Sequence, residues 1–337
     1  MIGINGLGRI GRLLLRRLAG SAPERLAALN DPADLETLVH LLRFDSVHGP
    51  CPLPVSGRRQ GGQDWLRLGD LDLPLHHATD PAEIPWIGPT LVVEASGRFT
   101  SRDGAARHLR GPVRQVIISA PSPDPDLTVI APVNGAELDL ERHAVVSNGS
   151  CTAHATAPML AVLEDAFGID TAGMSTVHVV TNDQRLLDLP HKDRRRARAA
   201  FRSMIPTSSS AFGALRQAMP HLPAGFAGCA IRVPTLSVNL VDLTATLRRP
   251  ATVAEVQDAY RTAASGRFRG ILGLAHDHAV STDFTGRPES VLMDLDLTRV
   301  LGDRFVKAFG WHDNETGYAA RLEDLVLDLL SRRSSRA

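Results

Sequence analysis

Residues 2–31 constrain the fold more tightly than any other stretch. Ile2-Gly3-Ile4-Asn5 begins a short apolar strand, and Gly6-Leu7-Gly8-Arg9-Ile10-Gly11 follows at once. Leu13, Leu14, Leu15 and Leu18 then continue as a helix with arginines on its outer face. Strand, GxGxxG loop and helix in that order are the context of a dinucleotide-binding unit. Gly6 permits the tight turn, Gly8 lets the backbone approach a pyrophosphate, and Gly11 allows close helix–strand packing. The helix start offers its N–H groups to the anion. A second apolar run, Leu26 to Leu29, ends in Asn30-Asp31, and Asp31 stands twenty residues beyond Gly11. An acid at that distance meets a ribose 2′-hydroxyl and repels a 2′-phosphate, so the pattern favours NAD over NADP.

The pattern continues as alternating strands and helices. Leu91–Ala95 and Val113–Ser119 read as buried parallel strands, Leu127–Ala131 as a weaker one, and Asp34–Leu42 and Ser101–Leu109 as helices. This is an α/β, doubly wound, Rossmann-type domain with a parallel sheet. After residue 150 the pattern changes. A helix from Ala153 to Phe167 is followed by long strand-like runs, Met174–Val180, Ala230–Leu247 and Ser290–Leu297. They predict an α+β second domain with a mostly antiparallel sheet. The expected division is 1–149 and 150–313. Asn314–Leu330 has helical spacing, and Ser331–Ala337 reads as a frayed tail. A chain of 337 residues suits two domains of ~150.

Composition removes several function classes. Lysine plus arginine and aspartate plus glutamate both number 37, which disfavours a nucleic-acid binder working through a broad basic surface. No run reaches the ~18 apolar residues of a membrane span, and Arg9, Arg12, Arg16 and Arg17 interrupt any signal-peptide pattern. Cys51, Cys151 and Cys229 cannot form a disulfide framework, and their spacings fit no zinc site. The expectation is a protein of a reducing, cytoplasmic compartment with no metal.

Ala144–Ser147 reads as a strand, Asn148-Gly149-Ser150 as a turn, and Cys151 opens the following helix. The positive end of a helix dipole stabilises a thiolate, which suits a nucleophile for a carbonyl. A cysteine can equally be a small buried hydrophobe, which is the reading for Cys229. His178 ends an apolar strand, where a histidine is more often a satisfied core residue than a base. A dinucleotide fold with a helix-start cysteine shifts that balance, because aldehyde oxidation through a thiohemiacetal needs a thiolate and a base.

Over essentially its whole length the chain resembles the phosphorylating glyceraldehyde-3-phosphate dehydrogenases, bacterial type. The resemblance rests on Ile4–Arg12, Asn30-Asp31-Pro32, Phe44–Gly49, Ser96–Thr100 and Ile117–Pro121. It is strongest in Ser147–Thr152, Thr176-Val177-His178, Asn182–Arg185, Arg232–Thr235 and Trp311–Tyr318. It implies Cys151 as nucleophile and His178 as base, with hydride passing to NAD and inorganic phosphate releasing the acyl group. Arg9, Ile10, Asp31 and Ser119 match cofactor contacts. Asn314 matches the nicotinamide amide contact, and Tyr318 packs beside that ring. Thr181, Asp183 and Arg232 match the site for the substrate's phosphate. Ser150, Thr152, Ser209 and Ser210 match the site for the attacking phosphate, with Arg198 beside it. Leu189-Pro190 matches the loop version that accompanies NAD preference. The resemblance further implies a homotetramer and a C-terminal helix, 314–333, packed back on the first domain.

Several residues depart from the family pattern. Ala153-His154-Ala155 stands where Thr-Asn-Cys is usual, Ser210 replaces a glycine, and His312 replaces a tyrosine. His154 either alters the thiolate environment or only packs. A side chain at Ser210 could move the attacking phosphate by about an ångström. These departures keep open a relative that acts on another phosphorylated aldehyde, such as erythrose 4-phosphate with hydrolytic release, or an isozyme resistant to a thiol-directed inhibitor.

Overall fold

The computed structural model describes residues 1–334. The chain divides into two compact units, Met1–Ser150 together with Ala319 onward, and Cys151–Tyr318.

The first unit contains, in order, β1 (Ile2–Asn5), α1 (Arg9–Ser21), β2 (Leu26–Asn30), α2 (Leu35–Arg43), β3 (Val55–Gln60), β4 (Gln63–Leu68), β5 (Leu71–His76), β6 (Leu91–Glu94), α3 (Arg102–Ala106), β7 (Gln115–Ile118), β8 (Leu127–Thr128) and β9 (Val145–Ser147). Its sheet has the strand order β3-β4-β5-β2-β1-β6-β7-β9-β8. From β5 to β8 all pairings are parallel, and β3 and β4 extend the sheet antiparallel. β1, β6 and β7 are buried along their whole length, as strands covered on both faces must be. This is the doubly wound sheet that the apolar runs predict. The β3–β5 meander carries no such signal, because β3 is exposed at every residue after Val55. α3 is shorter than the expected Ser101–Leu109. After Ala106 the chain tightens into i→i+3 bonds, His108 N to Ala105 O and Leu109 N to Ala106 O, and the α-helix ends there.

The second unit contains α4 (Cys151–Phe167), β10 (Ile169–His178), β11 (Ile205–Thr207), α5 (Ala211–Ala218), β12 (Ala227–Arg232), β13 (Asn239–Leu247), α6 (Val253–Ser265), β14 (Leu272–Leu274), β15 (Val291–Leu301) and β16 (Phe305–His312). Its strand order is β11-β12-β10-β13-β16-β15-β14. β10–β12 and β14–β15 pair parallel, and the other pairings are antiparallel. The run Ala230–Leu247 is two strands rather than one. Pro234, which has no N–H to give a ladder, lies in the connection between β12 and β13. α4 lies close on this sheet. Thr156 Oγ1 is 3.3 Å from Met174 Sδ on β10, and a Cβ on Gly310 of β16 would stand 3.1 Å from Met159 Sδ.

The C-terminal helix α7 runs from Thr316 to Ser334, through the start of the expected frayed tail, and residues 335–337 lie outside the described residues. Leu322, Leu325, Val326 and Leu329 of α7 share one core with Leu14, Leu15 and Leu18 of α1. Among the described residues no helix is long and apolar enough to cross a membrane.

Candidate active site

In the first unit a cleft of about 360 Å³ opens along the carboxyl ends of the central strands, lined among others by Gly6, Gly8, Asp31, Ser96 and Phe99. Gly6 turns with φ +92°, and a Cβ there would lie 2.5 Å from Ser96 N. A Cβ on Gly11 would lie 2.0 Å from Gly6 O, so only glycine closes the loop onto the helix. A Cβ on Gly8 would meet nothing within 4 Å. That open space lies at the start of α1, which no side chain caps among the described residues. A helix start open on that side fits a pyrophosphate.

Asp31 stands at the cleft with both oxygens fixed by backbone: Leu7 N donates to Oδ2 at 2.7 Å and Ala33 N to Oδ1 at 2.9 Å. Below it, Glu94 accepts from Asn5 Nδ2, Ser96 N and His108, which holds Asn5 and Ser96 at the cleft wall. Arg9 donates to Asp45 at 2.7 Å, Ile10 is half-buried in the core beneath α1, and the buried Ser119 Oγ has no hydrogen-bond partner among the described residues. The residues present therefore fit a dinucleotide.

In the second unit α4 and β10 bring Cys151 and His178 together, with Sγ 3.8 Å from Nε2. Thr152 Oγ1 is 3.9 Å from the sulfur. The helix start does not by itself give a low thiol pKa. Burial pushes the Cys151 thiol up, against the opposing pull of Thr152 and Arg232. Burial, then the Arg232 guanidinium, holds His178 well below the usual histidine range, so its ring is neutral at pH 7. His178 Nδ1 lies 2.8 Å from Val179 O and 2.9 Å from Arg232 Nη1.

Arg232 also donates to Val179 O and to Thr181 Oγ1, at 3.1 and 3.2 Å. Asp183 is ion-paired with Arg196, which also donates to Thr207 Oγ1 and Ser208 O. Arg232 reaches Thr181 directly, and Arg196, paired with Asp183, brings its charge to bear on Arg232. Arg198 does not. Its side chain is 66% exposed and pairs with Asp188, whereas that of Arg196 is 16% exposed. Three consecutive arginines precede Ala197, and only the path of the loop selects among them.

Ser150 is half-buried, and Thr152 is buried with its carbonyl accepting from Thr156. Ser209 Oγ accepts from Ala211 N at 3.2 Å. Ser210 stands at the N-cap position of α5 with φ −70°, an ordinary conformation for a side-chain-bearing residue, and its side chain makes no capping hydrogen bond among the described residues. His154 is buried edge-on against Tyr318, with ring centroids 5.9 Å apart. Asn314 is half-buried in a turn fixed by Asp313, whose carboxylate accepts from Gly286, Glu315 and Thr316 N–H groups. Sequence reasoning passes over Asp313, although an aspartate two or three residues before the N–H groups it caps is a readable turn signal.

A glycine-loop cleft of this kind makes the first unit an NAD-binding domain and the chain an NAD-dependent oxidoreductase. Residues 1–102 match the NAD binding domain of glyceraldehyde 3-phosphate dehydrogenase, and residues 150–314 match its C-terminal domain. The chain is 44% identical over 333 residues to glyceraldehyde-3-phosphate dehydrogenase 1 of Bacillus cereus, and 43% identical over 333 residues to glyceraldehyde-3-phosphate dehydrogenase of Geobacillus stearothermophilus, with 98% of both chains covered in each case. It is 43% identical over 328 residues to glyceraldehyde-3-phosphate dehydrogenase 2 of Streptomyces arenae, covering 96% of this chain and 97% of the other. The chain belongs to the glyceraldehyde 3-phosphate dehydrogenase family.

Proposed function

We propose that this protein oxidises D-glyceraldehyde 3-phosphate with NAD and passes the acyl group to inorganic phosphate, giving 1,3-bisphosphoglycerate. The observation that carries the reading is the 3.8 Å approach of Cys151 Sγ and His178 Nε2 beside the cationic Arg232. In it, residues 1–149 with the C-terminal helix serve the cofactor, held by Gly6, Gly8, Arg9, Ile10, Gly11, Asp31 and Ser119, with Asn314 and Tyr318 at the nicotinamide. Residues 150–313 serve the substrate.

Cys151 Sγ bonds to the aldehyde carbon, the C=O π bond opens, and the thiol proton passes to the carbonyl oxygen, giving a thiohemiacetal. The Cys151 backbone N–H stabilises the oxyanion. His178 Nε2 takes the hydroxyl proton as hydride leaves the same carbon, and a thioester to Cys151 remains. Bound NAD supplies the acceptor for that hydride. A phosphate oxygen then attacks the thioester, and the Cys151 thiolate departs. A neutral His178 is in the right state to accept the proton.

Arg232 and Thr181, with Arg196 held by Asp183, suit the substrate's phosphate dianion. Ser150, Thr152, Ser209 and Ser210 offer hydroxyls to the attacking phosphate, and Arg196 rather than Arg198 supplies the guanidinium nearby. We place the enzyme in the cytoplasm as a homotetramer. The exposed Leu186, Leu187, Leu189 and Met204 support a face covered by another copy of the chain.

Mass spectrometry of the denatured protein tests this reading. With aldehyde and NAD but no phosphate, an acyl adduct accumulates on Cys151, and added phosphate clears it. An adduct on another residue contradicts the assignment. Equal clearance without phosphate favours the hydrolytic relative.

A further inference from the structure

Glu94, the last residue of β6, is 2% exposed, and the proposed chemistry does not use it. A carboxylate is costly to bury unless its oxygens are saturated with donors. Here four hydrogens converge on it. Oε1 accepts from Ser96 N at 2.8 Å and from the Ser96 hydroxyl. Oε2 accepts from Asn5 Nδ2 and lies 2.9 Å from His108 Nε2.

Trp86 fixes the hydrogen of His108. The indole N–H, 3.1 Å from His108 Nδ1, can only donate, so Nδ1 accepts and the ring carries its hydrogen on Nε2, toward Glu94. Trp86 and His108 are both buried. Among the described residues Glu94 therefore meets donors on both oxygens and no acceptor.

These donors belong to the wall of the cofactor cleft, which Asn5 and Ser96 both line. Ser96 Oγ accepts in turn from Arg98 N at 3.1 Å, and Arg98 and Phe99 line the same cleft. On the other side, Asn5 Oδ1 accepts from Asn30 Nδ2 at 2.8 Å, and the Asn30 amide binds Ala78 O at 2.9 Å and Ala78 N at 3.0 Å. Asn30 immediately precedes Asp31. One carboxylate thus ties the ends of β1, β2 and β6 beneath the part of the cleft that holds Asp31. Ser96 has no slack toward the glycine loop, since a Cβ on Gly6 would stand 2.5 Å from its nitrogen.

We propose that Glu94 is a positioning residue for the adenosine half of NAD, acting through Ser96 and Asn5 to set the wall against which that half binds. The inference rests on the NAD cleft with Asp31 at the ribose, and not on the aldehyde or on Cys151.

Glu94→Gln keeps the shape and replaces one acceptor by an NH₂ that confronts two donors, whichever way the amide lies. On the Oε2 side His108 cannot move its hydrogen to Nδ1, because the Trp86 N–H occupies that nitrogen. On the Oε1 side the Ser96 backbone N–H has no alternative orientation. Ser96 or Asn5 has to give way, and the cleft wall moves with it.

The test is calorimetry of the full chain with NAD and with ADP-ribose, which lacks the nicotinamide. Glu94→Gln weakens both by the same factor, about 10- to 100-fold, the range for a hydrogen bond to a buried charged group. The loss appears in KM for NAD, while kcat at saturating NAD and KM for glyceraldehyde 3-phosphate stay within twofold. A carboxylate that only stabilised the fold would lower resistance to urea and leave the Kd of the folded protein alone. Ser96→Ala, which removes one of the four hydrogens, weakens ADP-ribose by about 3- to 10-fold. The double variant binds no more weakly than Glu94→Gln, because the two residues act as one unit. A folded Glu94→Gln whose Kd for ADP-ribose stays within twofold of wild type, a loss confined to NAD, or factors that multiply in the double variant overturns the proposal. Should Glu94→Gln fail to fold, Ser96→Ala decides alone, and an unchanged Kd overturns it. Absence of turnover with glyceraldehyde 3-phosphate would contradict the functional reading and leave the ADP-ribose result legible.

Discussion

Asp31→Asn is expected to raise the ratio of kcat/KM with NADP to that with NAD by about 5- to 1000-fold. The carboxylate cannot swing away from the cleft, because Leu7 N and Ala33 N hold its two oxygens at 2.7 and 2.9 Å. A ribose 2′-phosphate would set a second negative charge about 4 Å from it. Two unit charges at that distance repel by about 1 kcal/mol at the dielectric of water and by about 4 kcal/mol at an effective value of 20. Asp31 is half-buried, between those limits. At about 1.4 kcal/mol per factor of ten, this range gives the expected change. Asparagine keeps the volume and one acceptor, but its NH₂ confronts one of the two backbone N–H groups. A stability loss of about 1–2 kcal/mol should accompany the change. Initial rates with each cofactor at fixed aldehyde measure the ratio, and circular dichroism checks the fold. A folded variant whose ratio moves less than twofold would show that Asp31 does not face the ribose.

Cys151→Ser should abolish aldehyde oxidation while NAD affinity, measured by calorimetry, stays within a few-fold; loss of affinity by orders of magnitude would mean that the cysteine is misplaced relative to the cofactor. His178→Asn should lower turnover by ~10²–10⁴-fold, the range for a general base, and an unchanged rate removes that role. His312 gives a prediction about pH. Burial lowers its folded-state pKa to about 3, while the unfolded chain titrates near 6.5. The unfolded state thus binds the extra proton, and the stability tied to neutral His312 is complete above pH ~6.5 and is lost as pH falls toward 3. Between pH 7 and pH 5 that loss is about 2 kcal/mol, and His312→Gln should remove it. Urea unfolding of both proteins at the two pH values decides the matter, and an equal acid penalty in both would show that His312 is not held neutral.

The elements that the sequence makes legible are those with local causes. The β1–loop–α1 unit is carried by glycines whose Cβ atoms would collide with nearby backbone, and by a leucine stripe on one helix face. The parallel strands stand out because both faces are apolar. β3 is invisible to that logic, being polar and exposed on a sheet edge. α6 does carry a sequence signal, the capping box of Thr252 and Glu255, but no strong apolar stripe to draw attention to it. At the candidate site, Cys151 and His178 are recognisable from their places at a helix start and a strand end. Arg196 is not, because Arg194, Arg195, Arg196 and Arg198 are chemically alike and the fold of the loop chooses between them. Arg232 comes within 2.9 Å of His178 Nδ1 only once β10 and β12 lie side by side.

NADH formation from glyceraldehyde 3-phosphate and NAD, with and without inorganic phosphate, tests the account most directly. Sustained turnover that requires phosphate, after at most one equivalent of NADH per Cys151 in its absence, is the predicted result. Sustained turnover without phosphate, or none until another aldehyde is supplied, would contradict it and tie His154, Ser210 and His312 to a changed reaction.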